Sequence, residues 1–140
     1  MAKLPFARRL LKVFHPETIH GLGTYFYNAI SGTTMFQRNY DHVAQDILAY
    51  CPDGKILDIG TGPARLLIAL HRHRPQLQLV SIDVSAAMVE RARDNIGAAG
   101  LLGEIEVKQA KAKSLPFEDG SFDGVVSTGS IHHWKEPRAL

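Results

Sequence analysis

Apolar and polar positions switch between two periods along most of the chain, and the switches mark out its elements. From Asp41 to Tyr50, Val43, Ile47 and Leu48 fall on one face of a helix. Ile56, Leu57 and Ile59 then form a short aliphatic run that reads as a buried strand. Leu66, Leu67 and Leu70 return to helical spacing in a segment that must end before Pro75. A second strand is expected near Leu77–Asp83, a helix from Ser85 to Ala98, a third strand over Glu104–Gln109 and a fourth over Phe122–Thr128. Strands alternating with helices predict right-handed βαβ units, hence an α/β fold with a doubly wound parallel sheet.

The first strand runs into Asp58-Ile-Gly-Thr-Gly-Pro-Ala64 and then Arg65. Gly60 and Gly62 allow backbone angles closed to other residues and let a ligand approach the main chain. Pro63 suits the first turn of the following helix. Together these features predict a nucleotide-sized site at the carboxyl end of a parallel strand. A dinucleotide turn wants a third glycine where Arg65 stands, and no Gly-Lys-Ser/Thr follows for a phosphate-cradling loop. Asp58 would repel phosphate and attract a cation, which favours a ligand carrying ammonium and sulfonium groups. Asp83 stands about 20 residues past the glycine turn, the spacing at which a second-strand carboxylate meets ribose hydroxyls. The alternative is that Asp83 only ends its strand or caps the next helix, a cap that Ser85 also offers.

These residues resemble the first two motifs of the class I S-adenosylmethionine-dependent methyltransferases, a Rossmann-like family. Leu115-Pro-Phe-Glu-Asp-Gly-Ser-Phe-Asp-Gly-Val-Val-Ser127 is similar to the fourth-strand region of the ubiquinone/menaquinone-type subgroup, and Ile131-His-His-Trp134 to the segment after it. The resemblance covers roughly residues 40–140 and implies S-adenosyl-L-methionine as cofactor. It implies that Asp58, Gly60, Thr61 and Gly62 hold the methionine end, Asp83 the ribose, and Val84 and Met88 the adenine face, with Ser127 alongside. Two departures stand out. The family's third glycine is Ala64, expected to fit with little strain. Its adenine-binding Asp is replaced by Lys111, which offers donors but no acceptor. The backbone of Lys111 and Ala112 would then hold the adenine, or Lys111 simply faces solvent. His132 or His133 would act as general base, or both merely line the pocket rim. Ser127-Thr-Gly-Ser130 stands where amino-methylating enzymes carry Asn/Asp-Pro-Pro-Tyr/Trp, which favours a small-molecule oxygen or carbon acceptor.

The chain of 140 residues is expected to divide into an amino-terminal helical or lid segment, residues 1–37, and a partial cofactor-binding domain, residues 38–140. Tyr25, Phe26 and Tyr27 lie in a loop or broken helix that in similar enzymes folds over the methionine end. The family sheet continues for three more strands, so the resemblance implies an amino-terminal portion truncated after the fourth strand. That strand would become an exposed apolar edge open to self-association. Composition is that of a soluble domain, 45% hydrophobic and 21% charged, with a net charge of +2 that gives no argument for nucleic acid. Cys51 alone cannot form an internal disulfide and reads as a half-buried thiol. His71 and His73 do not share a helix face, Arg72 and Arg74 would complement the helix dipole, and no metal site is expected. Residues 1–16, with Lys3, Arg8, Arg9 and Lys12 among apolar positions, read as an amphipathic helix on anionic lipid, a packed helix or a lid. The cytoplasm is the expected location. The alternatives to an enzyme acting on a small molecule are a non-catalytic cofactor-binding module and a nicotinamide-dependent oxidoreductase, the latter disfavoured by Arg65.

Overall fold

The computed structural model describes residues 10–13 and 34–128. Five parallel strands form one sheet: β1 (Leu10–Val13), β2 (Lys55–Ile59), β3 (Gln78–Asp83), β4 (Ile105–Gln109) and β5 (Gly124–Thr128), in the order β1-β5-β2-β3-β4. Three helices join them: α1 (Thr34–Tyr50), α2 (Arg65–His73) and α3 (Ala86–Ala98). The expected α/β class and the four expected strands are found. Helix α1 begins several residues before the expected Asp41.

Helices α2 and α3 end for local reasons. Arg74 leaves the helical conformation past the last turn of α2, and Pro75 cannot continue it. Helix α3 starts at Ser85, whose hydroxyl accepts from the Met88 amide at 3.2 Å. It ends where Gly100 turns left-handed: the Leu101 and Gly100 amides donate back to the Ile96 and Gly97 carbonyls at 2.9 and 3.0 Å.

Strand residues alternate between two buried layers. Ile56, Leu79, Ile105, Val107 and Val126 belong to a core shared with Val43, Ile47, Leu67, Leu70, Val89 and Ile96 of the helices. Leu57, Ile59, Val80, Ile82 and Val125 form the second layer. It is packed by Ala110, Ala112, Leu115, Phe117 and Phe122 of the irregular β4–β5 crossover. Phe117 and Phe122 meet edge to face at 4.9 Å, with the ammonium groups of Lys108 and Lys55 each 5.2 Å from one ring. Burial on both faces is what a parallel sheet requires, and each fully buried aliphatic side chain contributes about 1.5–3 kcal/mol.

Several expectations need correction. Strand β5 is not an edge, because Leu10–Val13 pairs with Val125–Thr128 on one side while β2 pairs on the other. Its ladder groups are engaged on both sides, which removes the basis for self-association through it. Leu10–Val13 is strand, not helix; the rest of residues 1–16 and Tyr25–Tyr27 lie outside the described residues. The outer edge β4 instead carries alternating charges, with Lys108 and Glu106 paired at 3.1 Å, which blunts edge-to-edge pairing. Arg72 lies in the last turn of α2, where its charge suits the helix dipole as expected, and both arginines also have partners of their own. Arg72 and His73 reach Asp41 of α1 at 3.3 and 3.1 Å, and Arg74 binds Asp53 and the Pro52 carbonyl, both at 3.0 Å. Cys51 is buried rather than half-buried, and free of disulfide.

Candidate functional site

From β2 the chain winds outward through β3 to β4, then crosses back to place β5 on the other side of β2. The carboxyl ends of β2 and β5 therefore flank the topological switch point, where open α/β sheets form their ligand crevice. Asp58 and Ile59 end β2 there, Asp83 ends β3, and Ser127 lies near the end of β5.

The turn after β2 is held by backbone acceptors. Gly60 and Thr61 amides both donate to the Ile82 carbonyl, at 2.9 and 3.1 Å, and the Gly62 amide donates to Asp83 Oδ2 at 3.0 Å. Gly60 and Gly62 have φ of 78° and 53°. Ala64, at φ 63°, is left-handed as well, so it carries strain that a glycine would not, contrary to the easy fit expected. Pro63 precedes the helix rather than opening it, since α2 begins at Arg65. Its carbonyl accepts from Asn95 Nδ2 of α3 at 2.9 Å, a clamp that no sequence pattern announces.

Asp83 does more than end its strand. Oδ2 holds the glycine turn, and Oδ1 accepts from the Ser85 amide at 2.9 Å, so one carboxylate ties the turn to the start of α3. Each oxygen keeps lone-pair capacity. Beside it Val84, just past the end of β3, is a large apolar side chain left 63% exposed, while Met88 in the first turn of α3 is half-buried. Gln109 Nε2 donates to the Val84 carbonyl at 3.2 Å. Lys111 is exposed, its carbonyl accepting from the Ser114 amide at 3.0 Å, and Ala112 packs on the second core layer. Ser127 Oγ donates to the Ile59 carbonyl at 3.0 Å and so joins the ends of β5 and β2. His132 and His133 lie outside the described residues.

Asp58 is the anomaly. Its side chain is 1% exposed, yet neither oxygen has a hydrogen-bond partner, and the buried Thr61 hydroxyl has none either. Burial pushes the Asp58 carboxyl up to about 7. The nearby Thr61 hydroxyl pulls it partly back without forming a bond of normal geometry, and the Asp83 charge raises it further. Buried acceptors without donors are expensive. This pair is therefore shaped for a cation or a donor from outside the chain, and is wrong for a phosphate. Among the described residues no His/Cys/Asp/Glu cluster fits a metal ion.

A parallel sheet whose switch-point crevice carries a glycine turn and two acidic strand ends defines a Rossmann-like ligand-binding domain. The chain belongs to the class I S-adenosylmethionine-dependent methyltransferases: the family model described as a methyltransferase domain matches residues 56–140. The ubiquinone/menaquinone biosynthesis C-methyltransferase UbiE of Geotalea daltonii is 30% identical over 97 residues, 69% of this chain and 41% of that protein. Ribosomal RNA small subunit methyltransferase C of Escherichia coli is 35% identical over 79 residues, 56% of this chain and 22% of that one. Among solved structures, a Methanococcus maripaludis protein described as an S-adenosyl-L-methionine-dependent methyltransferase superposes with a TM-score of 0.76 at 29% identity, covering 86% of this chain and 57% of that one. The [4+2]-cyclase SpnF superposes at 0.65 and 26% identity, over 71% of this chain and 37% of its own. The chain thus spans less than half the length of these curated relatives.

Proposed function

We propose that the crevice binds S-adenosyl-L-methionine and that the chain forms the cofactor-binding part of an enzyme methylating a small-molecule oxygen or carbon acceptor. The observation that carries this reading is the buried, partnerless pair Asp58 and Thr61, which fits the ammonium of the cofactor's methionine end. Asp58 neutralises that group, and the Gly60–Gly62 turn lets it approach the main chain. Asp83, already latched to Gly62 and Ser85, has acceptor capacity left for the two ribose hydroxyls. Val84 and Met88 offer apolar surface to the adenine, and the backbone at Lys111 and Ala112 flanks its edge.

When bound, the cofactor supplies a methyl group on a sulfonium, which needs chiefly orientation and a dry site for in-line transfer. The chain contributes rigidity: Ser127 fastens β5 to β2, and Asn95 fastens the turn. His132 or His133 takes a proton from the acceptor where its chemistry requires one. The absence of Asn/Asp-Pro-Pro after β5 and the longer match to the C-methyltransferase than to the ribosomal RNA enzyme favour a small oxygen or carbon acceptor.

A second reading is cofactor binding without turnover by this chain alone. It is favoured by the 41% coverage of the C-methyltransferase, and by a cyclase sharing the fold, since fold does not carry function by itself. The test is calorimetric titration with S-adenosylhomocysteine, with NADH in parallel, followed by transfer of labelled methyl to a panel of hydroxyl and carbon acids. Saturable binding of S-adenosylhomocysteine alone, weakened at least tenfold in Asp83→Asn, is expected. Binding without transfer selects the second reading, and a folded chain that ignores the ligand refutes both.

A further inference from the structure

Asp58 lies in the middle of a three-strand contact, with β3 on one side and β5 on the other. Ser81 stands opposite it in β3 and Val126 in β5, and neither is titratable. Of the charged groups on neighbouring elements, Asp83 on β3 acts on it with like sign, whereas Arg65 at the start of α2 is itself partly buried and interacts with Tyr40. Thr61 completes the surroundings with a buried hydroxyl that has no partner of its own. No described group supplies the positive charge that a buried carboxylate needs, so burial favours the neutral form of the Asp58 carboxyl.

We infer that ligand binding at this site is an ion exchange, in which the Asp58 carboxyl holds a proton in the free chain and releases it to solvent as a cationic group of the ligand takes its place. The inference rests on the binding reading proposed above and adds how the site keeps its charge balanced. The ligand ammonium enters with its own protons, the Asp58 O–H bond breaks, and one proton leaves. The net charge of the pocket is the same before and after. A neutral carboxyl also explains how the free site tolerates Asp58 beside Asp83, a pairing in which full ionisation of both would be repulsive. Burial raises the Asp58 carboxyl, the direction this geometry requires.

The experiment is titration calorimetry of the full chain with S-adenosylhomocysteine at pH 6 and pH 8, in buffers of differing ionisation enthalpy. The dependence of the observed heat on the buffer counts the protons exchanged. With Asp58 titrating at about 7, linkage predicts release of about 0.9 proton at pH 6 and about 0.1 at pH 8, with affinity rising about tenfold between them. In Asp58→Asn the pH 6 release disappears, which separates Asp58 from any histidine contribution. 5′-Methylthioadenosine, which lacks the ammonium, binds without release. Saturable binding with no proton release at pH 6 overturns the exchange while leaving the binding reading intact. No binding by a folded chain overturns the binding reading and the exchange with it. Infrared spectra of the free chain at pH 6 give an independent measure: a protonated-carboxyl band that vanishes in Asp58→Asn is expected, and its absence overturns the inference without any ligand.

Discussion

Replacing Asp58 by Asn should make the protein more stable relative to the parent as pH rises, although the residue lies in the candidate site. The sign follows from linkage. The carboxyl titrates at 3.8 in the unfolded chain and at about 7 when buried. Between those values the folded state holds a proton that the unfolded state has lost, so stability falls as pH increases. The contribution is fully present below 3.8, is lost as pH rises through about 7, and is constant above. At about 1.4 kcal/mol per pH unit, the interval amounts to about 4 kcal/mol. Asn carries no such proton, so the difference between variant and parent should grow by about that amount from pH 4 to pH 8. Titrating groups that do not interact with Asp58 cancel in the comparison. Urea denaturation of both proteins at each pH is the assay, and the differential shift in midpoint should reach roughly 2 M. A difference that stays within about 1 kcal/mol across the range would refute the placement of an isolated, buried Asp58.

Gly54→Ala should cost about 3 kcal/mol, because the added Cβ would sit 2.1 Å from Asp123 Oδ2 at φ +99° and displace the carboxylate from the Lys55 amide. Since Gly54 lies at the far end of β2, denaturation midpoints should move while ligand affinity does not. Ala64→Val should cost more than about 2 kcal/mol, as a branched residue at φ 63° in a fully buried place, whereas Ala64→Gly should stay within about 1 kcal/mol, relief of strain being offset by chain entropy and a lost methyl. Equilibrium unfolding separates the two. Asp41→Ala should change stability by less than about 1 kcal/mol despite losing contacts to Arg72 and His73, because those pairs are solvent-exposed, and adding salt should shrink the effect further.

The legible parts of the fold were those set by neighbours in the chain. Aliphatic runs gave β2 and β3 nearly to the residue, and the Ser85 cap starts α3 as local chemistry demands. In the site, the spacing of Asp58, Gly60, Gly62 and Asp83 was enough to place them at one crevice. What escaped depends on the other side of a contact. The isolation of Asp58 is set by what β3 and β5 fail to offer it, and the double latch of Asp83 uses backbone amides that any sequence possesses. Ala64 looked harmless because a side chain's size is written in the sequence while its φ is not. Strand β1 has only four residues, too few for a period, and its partner is remote.

That remote pairing sets the order in which the sheet can close. Leu10–Val13 is synthesised before every other described element, and β5 is synthesised after them all. At roughly 5–20 residues per second, β1 waits on the order of ten seconds for its partner. Meanwhile the two local βαβ units, β2-α2-β3 and β3-α3-β4, are already complete. When β5 emerges it pairs with β2 on one side and gives Leu10–Val13 its only described strand partner on the other. Closure of the crevice, which needs Ser127 against Ile59 across 68 positions of sequence, thereby waits for the last described strand to be made.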